Sequence, residues 1–417
     1  MTGEFRKYLF DRDHPRLAQV RGLDPYAHGK ASREPGTFTG GIVAGWEPLY
    51  LNDFRGVTED GVLRSDVHTF EPARPGEAAP VAKMVAAAKA LLAVLDDEAR
   101  ARVCYPADAP EWQTWANPEF IQFDTGLRLE FQTAEVRQLA LALIAASLSP
   151  EGYELAHNMM LINAFLGEIV DLPAILNEFS YNIALYGRPD ENEPWGWQVF
   201  GHHMSLNCCV VGDRMVLSPV FLGAEPNEID AGPHAGVESL TTRIDLGLRV
   251  MAALTPAQRR QATVYEHMVD PAMPHERVHP GDERHLAGAF QDNRQIPPEG
   301  LCVAEFGSRA QELVLEVVED FVSLLPAGPR AARMREVRDY LPQTWFSWIG
   351  GHQSGDVFYY RIQSPVVITE LDHHCGVFLN NTTPEPFHVH TVMRTPNGND
   401  YGRAYLRQWL RQRDRQD

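Results

Sequence analysis

The chain has 417 residues, 44% hydrophobic, 10% aromatic and 22% charged, which excludes a disordered or fibrous protein and supplies enough apolar material for a sizeable core. Thirty-seven Lys and Arg against fifty-six Asp and Glu leave a formal charge of -19, a surface that repels a phosphate backbone and an anionic leaflet, so neither nucleic acid nor a membrane surface is the expected partner. No segment approaches the roughly 20 uninterrupted apolar residues of a membrane span.

Met1 to Asp13 is charged, with no apolar stretch or small-residue cleavage site of a secretory signal, and the five cysteines form no paired framework. Both features point to a cytoplasmic protein. Residues 1–78, punctuated by Pro25, Gly29, Pro35, Gly36, Gly40 and Gly41, read as a loop-rich arm.

Residues 79–175 read as a helical block. Val81, Met84, Val85, Ala88, Leu91, Leu92 and Leu95 form an amphipathic stripe, Thr133 to Ser147 repeats the pattern, and Ser149-Pro150-Glu151 opens a third helix. Residues 176–417 read as an α+β part. Trp195 to Val211 and Met215 to Phe221 are expected as two strands about a turn at Gly212-Asp213. Helices are expected at Val237 to Leu254, Thr255 to His267 and Ala310 to Leu325, with Asp270 to Pro298 as a long exposed loop. Short strands follow at Thr344 to Ile349, Val357 to Ile362, Val366 to Leu371, Val377 to Leu379 and Phe387 to Arg394, and a last helix begins near Asp400. The expectation is one integrated α+β unit, a helical N-terminal block packed on a mostly antiparallel sheet formed by the central and C-terminal strands.

Twelve of the sixteen histidines lie at or beyond position 202. Neutral imidazole ligates zinc and several redox metals, so this clustering is the main functional signal. On a strand, His388 and His390 project from one face and can grip one ion. Glu370, Asp372 and His374 follow the same two-residue spacing, placing a carboxylate where it can serve as ligand, orienting partner or base. His202 and His203 are neighbours, so in a regular strand only one can join a given site unless an irregularity near Gly201 intervenes. Arg394, an even number of positions beyond both His388 and His390, shares their face and is placed to meet an anionic group; Asp400 reads as a helix cap.

One motif misleads. His275-Glu276-Arg277-Val278-His279 matches HExxH, with His285 beyond it, but Pro274 and Pro280 bracket the segment and deny it the continuous helix that the signature needs. Dinucleotide, phosphate-loop and nucleophile-elbow motifs are missing, and Cys208 and Cys209 read as core strand residues.

Trp195-Gly-Trp, Gly201-His-His-Met-Ser-Leu-Asn207, Pro219 and Gly223-Ala-Glu-Pro226 resemble the central block of a bacterial and fungal family labelled domain of unknown function 3500. The resemblance continues through Tyr359-Tyr-Arg-Ile362, Glu370, His388-Val-His390, Arg394 and Asn399-Asp-Tyr-Gly402, and includes Trp112 to Asn117 and Ser147 to Tyr153. It implies that His202, His203, Glu370, His388, His390, Arg394 and Asp400 belong to a shared pattern; the HExxH segment lies outside it, and the Asp372-His373-His374 set belongs to one branch.

These readings converge on a metal-dependent enzyme for a small, anionic organic substrate, with a homodimer as the candidate assembly. His388, His390, one of His202 or His203, and His374 would hold a divalent metal. Glu370 would be ligand or base, Arg394 would orient the substrate, and Asp400 would hold a histidine or the arginine in place. Zinc would give a hydrolase. The alternatives are iron or copper, giving an oxidase or oxygenase, and a non-catalytic metal- or ligand-binding protein.

Overall fold

The computed structural model describes residues 3–415; Met1 and Thr2 of the expected arm and Gln416 and Asp417 of the C-terminal part lie outside them. The chain is α+β, as its patterning implies, built around one twelve-stranded sheet among the described residues. In chain order the strands are β1 (Cys104–Tyr105), β2 (Leu127–Arg128), β3 (Tyr181–Gly187), β4 (Trp195–Gly201), β5 (Met204–Val211), β6 (Arg214–Ala224), β7 (Thr263–Tyr265), β8 (Leu301–Cys302), β9 (Trp345–Gly350), β10 (Phe358–Gln363), β11 (Ile368–His373) and β12 (Val389–Arg394). Their spatial order is β1-β3-β4-β5-β6-β12-β11-β10-β9-β7, with β2 beside β3 and β8 beside β9. The sheet is mixed: among the described residues nine of its eleven strand pairings are antiparallel, while β1 joins β3 and β7 joins β9 in parallel. These pairings arise because short segments far away in sequence return to the sheet through helical connections.

The helices are α1 (Pro15–Ala18), α2 (Pro25–Ser32), α3 (Phe38–Tyr50), α4 (Val81–Val94), α5 (Asp97–Val103), α6 (Ala134–Ser147), α7 (Pro150–Ile169), α8 (Thr241–Ala253), α9 (Pro256–Ala262), α10 (Ser308–Val322), α11 (Ala327–Asp339) and α12 (Arg403–Arg413). None is long and apolar enough to cross a membrane. The helical block forms where its apolar stripe predicts. Met84, Val85, Ala88 and Leu91 are the buried side of α4, and Thr133 and Ser149 cap α6 and α7 by accepting from Val136 N and Gly152 N. The arm is less loop-rich than expected, because Asp24 and Thr37 cap α2 and α3 despite their glycines.

Side-chain alternation divides the sheet into two faces. Leu371, Val389 and Met393 join the larger apolar core with α4, α6, α7, α8 and α10. Ile368 and Val392 point the other way, into a second core with Trp46, Trp112, Trp115 and Phe290. The segment expected as an exposed loop supplies much of that second cover: Asp282, Arg284, His285, Leu286, Ala287, Phe290 and Asp292 are all buried. Two strand carboxylates hold it down. Asp372 accepts from Arg284 N at 3.0 Å and Arg284 Nε at 2.7 Å, while Glu370 accepts from Leu286 N at 3.0 Å and Ala287 N at 2.9 Å.

Candidate metal centre

β12 lies in the middle of the sheet between β6 and β11, with His390 opposite Gly223 on one side and Asp372 on the other. His388, just before β12, projects to the same side as His390, and their Nε2 atoms are 3.0 Å apart. The third imidazole comes from the β4–β5 connection. What reads in the sequence as one strand from Trp195 to Val211 is a hairpin: Gly201 pairs with Met204, and His202-His203 are the two-residue turn. His203 takes φ 62°, the left-handed conformation that such a turn demands. Its backbone is fixed by Gly223 N donating to His203 O at 2.7 Å and by His203 N donating to Asn117 Oδ1 at 3.3 Å.

The turn settles which of the two adjacent histidines joins the cluster. His203 Nε2 stands 3.1 Å from His390 Nε2. His202 stacks behind it, ring centroids 3.7 Å apart, with Nδ1 2.8 Å from Asn163 Oδ1. Asn163 Nδ2 donates to Asn177 O and Ser180 Oγ, so its oxygen is the acceptor for His202 Nδ1–H.

His203, His388 and His390 present ligand atoms within 4.8 Å of one another, all buried. Tetrahedral zinc with Zn–N bonds of about 2.0–2.1 Å separates its nitrogens by about 3.4 Å, close to the spacing found here. Protonation also suits a metal. Burial first, and the neighbouring imidazoles second, hold all three well below the ordinary histidine range, so they are neutral. His388 Nδ1 lies 2.7 Å from Cys375 O, and a carbonyl can only accept. Nδ1 therefore carries the proton and the Nε2 lone pair faces the cluster.

His374 and His285 extend the cluster: His285, His374 and His390 form a second buried group with ligand atoms within 4.8 Å. His374 Nε2 is 3.2 Å from Asp372 Oδ2, and His285 Nδ1 is 3.4 Å from Glu370 Oε2. Sequence reasoning placed His285 only beside the HExxH segment, and that segment is one turn of 3-10 helix at His275–Arg277. Instead, His285 arrives through the folded-down loop. A lone histidine among prolines and charges gives no periodic signal for this.

Glu370 is an orienting carboxylate in this arrangement. Besides the two loop amides it accepts from Tyr359 OH at 2.5 Å. Burial would raise it, but the facing His285, the Arg361 charge and the Tyr359 hydrogen bond outweigh that and lower it to about 2. Burial would likewise lower His285, yet Glu370 raises it. Arg394 does share the strand face of His388 and His390, as alternation requires. Its guanidinium, however, donates to Ala287 O at 2.7 Å, Gly288 O at 2.6 Å and Asp400 Oδ2 at 3.0 Å, and also to Asp292. Asp400 in turn accepts from Ser218 Oγ and Thr395 N. This pair braces the loop and the chain's last turn, and neither residue borders the cavity described next.

A partly open cavity of about 890 Å³ reaches His202, His203, His374 and His390. The arm supplies much of its apolar wall, through Leu17, Val20, Ile42 and Trp46. A part-buried His28–Glu119 pair, 3.0 Å apart, adds a polar patch.

Fold and site together define an α+β protein with a histidine cluster at one end of a cavity. The chain belongs to the family described as Protein of unknown function (DUF3500), which matches residues 77–403. All the clustered histidines fall inside that span, and the arm's share of the cavity wall falls before it. No curated protein and no solved structure matches the chain.

Proposed function

We propose that this is a cytoplasmic metal-dependent enzyme that acts hydrolytically on a small organic molecule. The carrying observation is the convergence of the His203, His388 and His390 Nε2 atoms, 3.0 and 3.1 Å apart, with the His388 lone pair turned inward by Cys375 O. Neutral imidazoles cannot all hydrogen-bond to one another, because each carries a single N–H. A shared divalent cation satisfies the three lone pairs together, and zinc fits the all-nitrogen donor set.

A zinc ion held there would lower the pKa of a water to about 7 and so supply a nucleophile at neutral pH. The chain's own contribution is position and shelter. His388 is locked by a main-chain carbonyl, the apolar wall from Leu17 to Trp46 excludes bulk water, and the cavity leads the substrate to the histidines. Imidazole suits iron and copper equally, which sustains a second reading as a dioxygen-using oxidase or oxygenase.

The test is metal analysis of the purified protein beside His388→Asn and His390→Ala. His388→Asn keeps a donor for Cys375 O and removes the ligand atom. The parent is expected to hold zinc that both variants lose; variants that keep the parent's metal content contradict the assignment. Visible absorption and oxygen uptake separate a redox metal from zinc.

A further inference from the structure

Glu370 is buried and accepts from Leu286 N, Ala287 N and Tyr359 OH. Among the described residues no Lys or Arg nitrogen lies within ion-pair distance of it; the one basic group that does is His285, at 3.4 Å. Yet neither ring nitrogen of His285 makes a well-formed hydrogen bond to any described residue, and the same holds for His374 Nε2. Both side chains are at most 3% exposed. Other buried histidines are anchored through at least one ring nitrogen: His68 reaches Pro396 O, His202 reaches Asn163 and His373 reaches Phe358 O. Unpaired buried nitrogens are costly, and two histidines carrying them beside one another are donors that a cation would satisfy.

The three nitrogens of the first group do not absorb these two residues. His285 and His374 form their own group, with His390 as the shared neighbour. The surroundings suit positive charge. Asp372 Oδ2 lies 3.2 Å from His374 Nε2 and Glu283 Oε1 lies 3.7 Å from His374 Nδ1. A carboxylate behind a ligating imidazole fixes its tautomer and raises its basicity, and Glu370 stands in that position behind His285 Nδ1, leaving Nε2 for an ion.

We propose that the centre takes two divalent cations side by side, the second held by His285 and His374 next to the ion of His203, His388 and His390. This rests on the metal-centre reading above and deepens it. Paired ions clamp both the attacking and the leaving oxygen of a displacement, so the substrate class narrows to esters, amides or phosphoesters whose two reacting oxygens or nitrogens can each meet a cation.

The experiment counts zinc in the full-length protein after chelator stripping and reloading, by inductively coupled plasma mass spectrometry. The parent is expected to saturate at two ions per chain, His285→Asn and His388→Asn at one each, and the double variant at none. His285→Asn keeps a donor facing Glu370 and removes the Nε2 ligand. A parent that saturates at one ion, or a His285→Asn protein that still holds two, overturns the second position. One ion lost in His388→Asn and kept in His285→Asn does so while leaving the first reading intact; a parent that binds no zinc overturns both. Should His285→Asn fail to fold, electron paramagnetic resonance of the parent loaded with copper(II) decides. A spin-coupled signal supports adjacent ions, and an uncoupled signal of full intensity contradicts them.

Discussion

Gly223 on β6 faces His390 on β12, and a methyl group placed on that glycine would stand 2.8 Å from His390 Cδ2 and 3.0 Å from His203 Cδ2. The glycine thus sets how closely these two imidazoles approach each other. Gly223→Ala is expected to fold but to weaken zinc binding. Overpacking of this kind costs about 1–3 kcal/mol, and about 1.4 kcal/mol is tenfold in affinity. Competitive zinc titration measures it; an unchanged affinity would show that the rings move aside freely.

Arg394 tests the bracing role. Replacing it with Leu leaves Asp292 and Asp400 buried without their cation and frees the carbonyls of Ala287 and Gly288. Removing one partner of a buried ion pair costs about 3–5 kcal/mol. Arg394→Leu should therefore lower the urea midpoint sharply. A variant with the parent's stability and a selectively raised KM for anionic substrates would instead return Arg394 to the substrate-binding role that its strand face suggests.

Stability should fall in acid through the buried histidines. Burial, reinforced by the Arg333 charge, lowers His68 to about 4, and burial lowers His202 and His373 to about 4 as well. The unfolded chain protonates these rings near pH 6.5 and the folded chain does not. The folded state is therefore penalised as pH drops from 6.5 towards 4, by up to about 1.4 kcal/mol per pH unit for each ring. His68→Gln keeps a donor for Pro396 O and cannot titrate in this range. Its stability profile between pH 6.5 and 4 should be shallower than the parent's by one proton; parallel profiles would contradict the assignment.

Ile42→Trp probes the cavity from the arm's side. The larger ring is expected to weaken binding of an apolar fluorophore several-fold while zinc content stays at the parent's level, because α3 supplies wall and no ligand. Equal loss of zinc and fluorophore would show that wall and centre are not independent.

The legible parts of this chain are those whose information is local. The stripe of α4, the caps of α6 and α7, and the shared face of His388 and His390 follow from spacing alone. Less legible was the hairpin at His202-His203, because both of its strands are buried along almost their whole length, polar residues included. Helix α11 was invisible because its sequence (AGPRAARMREVRD) carries no sustained apolar stripe. His285 and the burial of its loop depend on Glu370 and Asp372 receiving amides and a guanidinium from some eighty residues away. Such long-range contacts leave no periodic trace in either segment.

The acceptor that orients His388 is a main-chain oxygen, that of Cys375. Every amino acid carries that atom, so substitution at position 375 cannot delete it. The proton on the imidazole is secured by the path of the loop, which makes this part of the centre tolerant of genetic drift and vulnerable only to changes that reroute the backbone.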